Sequence, residues 1–202
     1  PFDPSEIAID INGNVINIYY VSTHLKDNSE SIVKSASTLN NVISSSNQVV
    51  NYEVNYRSVI NNVKKNSIVA ITIIDTLPYE IDLNNSNLTY NGNTGIYNKE
   101  NKTITWTIYK NISEFTEELN INETIKYSVI YKDFASISSS QDNTLVNIAY
   151  GVTKVNNKDL SKGVEGTASV DALIKGKLIV KYLEKDTNKV LSNEEVTTDK
   201  VG

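Results

Sequence analysis

A two-residue alternation of apolar and polar side chains recurs along this chain and constrains it more than any other feature. Tyr52, Val54 and Tyr56 alternate with Glu53, Asn55 and Arg57, and Ile104, Trp106 and Ile108 alternate with Thr103, Thr105 and Thr107. Ile125, Tyr127, Val129 and Tyr131 alternate with Lys126, Ser128 and Lys132, with Ile130 as one apolar residue on the polar face. Successive strand residues point to opposite faces, so these runs make strands with one dry and one wet face. No segment sustains the 3.6-residue period of an amphipathic helix for more than about three turns. Turn-rich pieces separate the runs: NNVKKNS at 61–67, NNSN at 84–87, YNGNTG at 90–95 and SISSSQDN at 136–143. The pattern predicts an all-β chain organised as an immunoglobulin-like β-sandwich.

Composition removes several function classes. The chain of 202 residues is long enough to bury a substantial core. Its charged fraction is 21%, its net charge is -5, and Lys and Arg never cluster as nucleic acid or anionic lipid requires. No apolar stretch reaches the roughly 18 residues of a membrane-spanning helix, so no membrane insertion is expected from this fragment. The chain begins at Pro1 and shows no signal peptide, and it is read as a fragment whose targeting signals could have been cut away. Cysteine is absent, which excludes disulfides, thiolate metal sites and Cys nucleophiles. The single histidine, His24, excludes a multi-His metal centre and sits in the polar stretch STHLKDN, as a solvated linker residue would. With no G-x-S-x-G elbow, no cofactor motif and no nameable cluster of titratable groups, an enzyme is not expected. The loops DLNNSN at 82–87 and QDN at 141–143 could hold calcium, though neither has the ligand spacing of a known calcium loop, and no metal site is assigned. Asn87, Asn101, Asn111 and Asn122 stand in N-x-S/T sequons, which an Asn-rich composition produces by chance. The abundance of Lys, Asn and Ile over Arg points to an AT-rich bacterial genome.

The two ends differ from the middle. NVINIYYV at 14–21 makes a strand that stops at a polar stretch, and KLIVKYL at 177–183 makes another after the polar stretch 156–169. A lone strand cannot bury a face, so each end is assigned to a neighbouring module. The division is residues 1–26 as the closing part of a preceding repeat, 27–170 as the sandwich, and 171–202 as the opening part of a following repeat. Strands at such open ends could pair with one another by edge addition.

One stretch, ITIIDTLP at 71–78, carries an acid inside an apolar run. By parity Val69, Ile71, Ile73, Asp75 and Leu77 share one face, with Ala70, Thr72, Ile74 and Thr76 on the other. If the first face is the core, Asp75 points inward; the alternative is that Asp75 caps the turn at Thr76-Leu77-Pro78. Trp106, flanked on its own face by Ile104 and Ile108, reads as core.

VVNYEVNY at 49–56, IIDTLP at 73–78, TITW at 103–106 and LVNIAYGV at 145–152, in that order, resemble the repeat domain of Gram-positive surface proteins known as the DUF11 repeat or fimbrial isopeptide-forming domain. RSVINNVKKNS stands where that family usually has Asn-Thr-Gly, and SSSNQ where it has Gly. KGKLIVKYLEKDTNKVLSNEEVTTDKVG at 175–202 resembles the opening of a mucin-binding-type (MucBP) repeat, and NVINIYYV its closing strand, which implies partial β-grasp-like modules at both ends.

The first resemblance implies a spontaneous amide bond between a Lys of the first strand and an Asn of the last, assisted by an acid. Those residues map to Lys34 in SIVKSAS and Asn147 in LVNIAY as the crosslink, with Asp75 as the catalytic proton shuttle. A buried Lys has its pKa lowered and a buried carboxyl has its pKa raised, so the pair can sit as neutral amine and neutral acid. The amine then attacks the Asn carbonyl while the acid hydrogen-bonds to its oxygen, and ammonia leaves. Tension applied at the chain ends would pass through such a bond.

Bland alternatives stand beside each assignment. A lone Lys is usually exposed, although Lys34 shares a face with Ile32 and Ala36. Asn147 shares a face with Leu145 and Ala149, while Val146, Ile148 and Tyr150 take the other, and either face could point inward. Lys64 and Lys65 lie in a turn and fit the crosslink poorly. The implied function is a stalk or adhesive module on a bacterial cell wall, extracellular, with neighbouring repeats of the same chain as partners. The rival is an uncrosslinked adhesin domain that holds a host glycan or matrix protein, marked by an exposed cluster on one loop edge.

Overall fold

A computed structural model describes residues 8–9, 15–16, 27–134, 137, 144–180, 182–187, 189–190 and 195–201, with side chains described for 27–134, 137, 144–173, 182–187 and 189–190. Its strands, in chain order, are β1 (Ala8–Ile9), β2 (Val15–Ile16), β3 (Ser29–Thr38), β4 (Val42–Ile43), β5 (Val49–Val63), β6 (Ile68–Thr76), β7 (Thr89–Tyr90) and β8 (Asn93–Thr94). They continue as β9 (Ile96–Asn98), β10 (Thr103–Asn111), β11 (Thr116–Ile130), β12 (Thr144–Val155), β13 (Lys158–Asp159), β14 (Val164–Ala172), β15 (Ile174–Val180) and β16 (Glu195–Val201). His24 and the loop 141–143 lie outside the described residues.

Two sheets enclose the core. The larger runs β4-β14-β12-β6-β10-β9 with β13 beside β12, and the smaller runs β11-β5-β3. Every pairing within them is antiparallel except β14 with β4, which is parallel. The alternation seen in the sequence is the inside–outside alternation of the fold. On β5, Val50, Tyr52, Val54 and Tyr56 are buried while Val49, Asn51 and Arg57 are exposed. On β11, Ile121, Ile125, Tyr127 and Val129 are buried, and Tyr131 beyond its end joins them. These residues meet Ile71, Ile73, Ile104 and Trp106 of the larger sheet in one hydrophobic cluster, as the two inner faces of a sandwich do. The chain is thus an all-β sandwich.

Trp106 is core, as its flanks predict. Its indole N–H donates to the Leu88 carbonyl at 2.9 Å and its ring packs against Tyr127 with centroids 5.0 Å apart, which satisfies the one polar atom that burial would otherwise strand. Two of the turns read from the sequence fall in the structure, though β5 runs on to Val63 into the first: Lys64 and Lys65 are exposed between β5 and β6, and Asn91 and Gly92 take positive φ between β7 and β8; the turn read at 136–143 lies, but for Ile137, outside the described residues. Asp82, in the loop 82–87, caps a single 3-10 turn by accepting from the Asn84 N–H at 3.1 Å and the Asn85 side-chain amide at 2.8 Å.

The flanks depart from the expectation of unpartnered strands. β2 pairs with β1, and β15 pairs with β16, so each end finds a local antiparallel partner. β15 also begins earlier than the run read from the sequence, because Leu173 is already held to the Ile43 carbonyl at 2.9 Å and the chain leaves β14 still extended. β14 itself runs through Ala172, past the boundary placed at residue 170, because Asp171 and Ala172 pair with Val42 and Ile43.

Close approach of the two sheets rests on Gly151 of β12. A Cβ there would fall 2.6 Å from the Tyr56 ring and 3.1 Å from Ile73 Cδ1. Gly151→Ala is expected to destabilise the fold by about 1–3 kcal/mol through overpacking, read as a lower denaturation midpoint. An unchanged midpoint would contradict this packing.

Candidate functional site

Asp75 is fully buried, on the inward face of β6 with Val69, Ile71 and Ile73. It does not cap the turn. In register, Asp75 pairs with Ala149 of β12, and Asn147 lies two residues along on the same inward face, so the acid and the amide are diagonal neighbours on adjacent strands. Of the two faces open to Asn147, the structure selects the one with Leu145 and Ala149; Val146 and Ile148 face out. Lys34 is the only fully buried residue of β3 and crosses from the smaller sheet. Its ammonium nitrogen contacts Asp75 Oδ2, with both side chains wholly removed from solvent.

The three residues therefore meet, although 41 positions separate Lys34 from Asp75 in the chain. Tyr127 of β11 completes the cluster. Its hydroxyl accepts from Lys34 Nζ at 3.1 Å and from Asn147 Nδ2 at 3.0 Å, so one oxygen holds both nitrogens. Lys34 Nζ also lies over the rings of Tyr52 and Tyr127, 4.9 and 5.4 Å from their centroids, and the two rings stack at 5.3 Å. Tyr52 in turn shares a hydrogen bond with the Tyr131 hydroxyl at 2.8 Å.

Burial governs the electrostatics of this cluster. It pushes the Lys34 pKa down, although the neighbouring Asp75 charge opposes the change. It pushes the Asp75 pKa up, again against the opposing charge and hydrogen bond of Lys34. Both shifts favour the neutral forms. Desolvation also raises Tyr52, to about 12, and lifts Tyr127 and Tyr131 well above the ordinary phenol, so all three remain protonated. In this cluster Asp75 Oδ1 and Asn147 Oδ1 have no hydrogen-bond partner among the described residues. Both are acceptors when Asp75 is ionised, which makes the carboxylate form poorly matched to its surroundings.

A second polar network fixes β3 against β12. Glu30 Oε1 accepts from the Tyr56 hydroxyl at 2.5 Å and from the Thr153 N–H at 2.7 Å, and Ser161 Oγ bonds Oε2. Glu30 shares the Lys34 face of β3, so this network helps set where Lys34 enters the core. Sequence reasoning missed both Glu30 and the role of the Tyr127 hydroxyl. For Tyr127 a signal existed: an inward-facing Tyr must find a partner for its O–H. Among the described residues no group of three or more His, Cys, Asp or Glu could hold a metal ion.

In chain order, Lys34 sits on the first strand of the sandwich, but Asn147 is not on its last strand. β14 follows β12 and pairs along it from Thr144↔Asp171 to Gly151↔Val164. The expectation of a first-to-last tie is corrected accordingly: a Lys34–Asn147 link would leave β14 outside the closed loop.

No protein-family model matches the sequence, and no curated protein matches it. Solved structures similar to it include a bacterial hydrophobin, BslA, at 18% identity and TM-score 0.36, covering 70% of this chain and 95% of that one. The group B streptococcus pilus 2b backbone protein is similar at 16% identity and TM-score 0.35, covering 77% of this chain and 62% of that one. The collagen adhesin of S. aureus is similar at 14% identity and TM-score 0.36, covering 93% of this chain and 56% of that one.

Removing Asp75 alone strands a buried amine. Asp75→Ala is expected to be less stable at neutral pH than the double variant Lys34→Met/Asp75→Ala, by about 3 kcal/mol. The folded-state pKa of Lys34 is lowered, so between that value and the unfolded value of about 10.4 the unfolded chain binds the extra proton and stability rises with pH. The deficit of Asp75→Ala is full at low pH and closes as pH rises toward the unfolded value. Denaturant titrations across pH check this, and a pH-independent gap would contradict it.

Proposed function

We propose that this chain is a structural or adhesive module of an extracellular, bacterial cell-surface protein, and that its sandwich is locked by an autocatalytic amide bond between Lys34 and Asn147. The observation that carries the reading is the Lys34–Asp75–Asn147 cluster itself: an amine, a carboxyl and a carboxamide, all buried, with both nitrogens held on the Tyr127 hydroxyl and on Asp75. The DUF11-type and MucBP-type motifs add the cell-surface context, with neighbouring repeats as partners.

The chemistry follows from the protonation states that burial favours. The neutral Lys34 Nζ offers a lone pair to Asn147 Cγ. A proton on Asp75 Oδ1 turns that orphaned acceptor into a donor, the partner that Asn147 Oδ1 lacks. As Nζ attacks, negative charge grows on Oδ1 and Asp75 lends it the proton. The Cγ–Nδ2 bond then breaks, the carbonyl reforms, and the proton returns to Asp75. One N–H of the amine ends on the departing nitrogen, so ammonia leaves and no oxidant or cofactor is needed. The chain is its own substrate and reacts once, which is maturation and not turnover.

Such a bond closes a loop of about 110 residues, which by analogy with a disulfide stabilises by roughly 4–5 kcal/mol, and it cannot be reduced. Everything between Lys34 and Asn147, including β5, β6, β10 and β11, would be shielded from tension applied at the ends. β14 would not be shielded, and its ladder with β12 and its pairing with β4 carry the load on that side.

Intact mass tests the proposal. The wild-type chain is expected to be lighter than its sequence by one ammonia, and Lys34→Ala, Asp75→Ala and Asn147→Ala are each expected at their full sequence mass. An unshifted wild-type mass would overturn it. A deficit of one water would instead place the bond between Lys34 and Asp75.

A further inference from the structure

Bond formation at this site needs a second proton movement besides the one that Asp75 makes at the carbonyl oxygen. The attacking nitrogen must lose a proton and the departing nitrogen must gain one. Asp75 contacts Lys34 Nζ and is hydrogen-bonded by Asn147 and Tyr127, but in the mechanism above its proton is committed to the amide carbonyl oxygen. The Tyr127 hydroxyl accepts from both nitrogens, 3.1 Å from Nζ and 3.0 Å from Nδ2.

We propose that Tyr127 is a catalytic residue of the crosslinking reaction, relaying a proton from Lys34 Nζ to the departing Nδ2 through its hydroxyl. The inference rests on the crosslink reading above and adds to it the protonation of the leaving group. In the resting state Nδ2 is a planar amide nitrogen that can only donate, so Tyr127 Oη accepts from it. Attack at Cγ makes that nitrogen tetrahedral and gives it a lone pair. The same contact can then run in reverse: Oη–H passes its proton to Nδ2 while Oη takes a proton from Nζ. The phenol ends as it began, the Cγ–Nδ2 bond breaks and the Nζ–Cγ bond remains. Atoms balance as amine plus carboxamide giving secondary amide plus ammonia.

The surroundings suit a relay and not a spectator. The Tyr127 ring is clamped between Tyr52, stacked at 5.3 Å, and Trp106, at 5.0 Å, so its hydroxyl is held with little freedom. Burial keeps the phenol protonated, so it begins with a proton to give. Water, the usual competitor for such a transfer, is excluded from a cluster whose side chains are all buried.

The test is the rate of ammonia loss after cell-free synthesis of the full chain, followed by quenching at set times and intact-mass measurement. Tyr127→Phe keeps the ring and its stacking, and is expected to slow the loss at least about tenfold. A second substitution separates chemistry from packing: site-specific 3-fluorotyrosine at position 127 makes the phenol more acidic at nearly constant shape, and is expected to change the rate. It also decides the question if Tyr127→Phe does not fold. Ammonia loss at the wild-type rate in a folded Tyr127→Phe, or a rate unaffected by fluorination, would overturn the relay while leaving the crosslink in place. A wild-type chain that never loses ammonia would overturn the crosslink itself.

Discussion

The contact between Lys34 and Asp75 organises the rest of the structure. Burying either group alone as an ion is prohibitive, and burying them together still removes two hydration shells that a single contact repays only in part. Here the amine is additionally bonded by Tyr127 and covered by two aromatic faces, while the acid keeps one oxygen unpaired. A core built only for stability would place Leu or Met at these positions. The polar cluster suits the proposed reaction, in which amide formation would replace a costly amine–acid–amide set with a neutral secondary amide.

The supporting shell reads as a means of bringing three distant residues into register. Lys34 comes from the smaller sheet, and Asp75 and Asn147 from neighbouring strands of the larger one, so the cluster exists only when the two sheets face each other correctly. Gly151 lets β12 approach Tyr56, and Glu30 pins the start of β3 to Thr153 on the same strand. Reaction would therefore follow folding, since no partial structure lacking either sheet assembles the site.

Much of this was legible in the sequence. Period-2 patterning identified the strands and their buried faces on β5, β6, β10 and β11, because a residue's face there depends only on parity. The inward aim of Asp75 followed from the same parity. Asn147 was ambiguous because both faces of β12 are apolar, and only the pairing of β12 between β6 and β14 settles which one is inside. Tyr127 looked like core for good reason, since its ring is core; what its hydroxyl does depends on two residues that arrive from other strands. β14 went unread although Val164, Ala168, Val170 and Ala172 alternate with Glu165, Thr167, Ser169 and Asp171, because the apolar side is made of small residues and Gly166 and gives a weak signal. That strand alters the mechanical picture, because it leaves an unshielded element beyond the proposed bond. At the flanks the sequence showed strands overlapping β2 and β15 but not their partners, β1 being only two residues long and β16, EVTTDKV, mostly polar.

The most direct measurement of the central claim is a tandem mass spectrum of the proteolysed wild-type chain. The account predicts a branched peptide in which the Lys34 side chain is joined to the Asn147 side chain, with one ammonia missing at the junction. Separate linear peptides carrying unmodified Lys34 and Asn147 would contradict it.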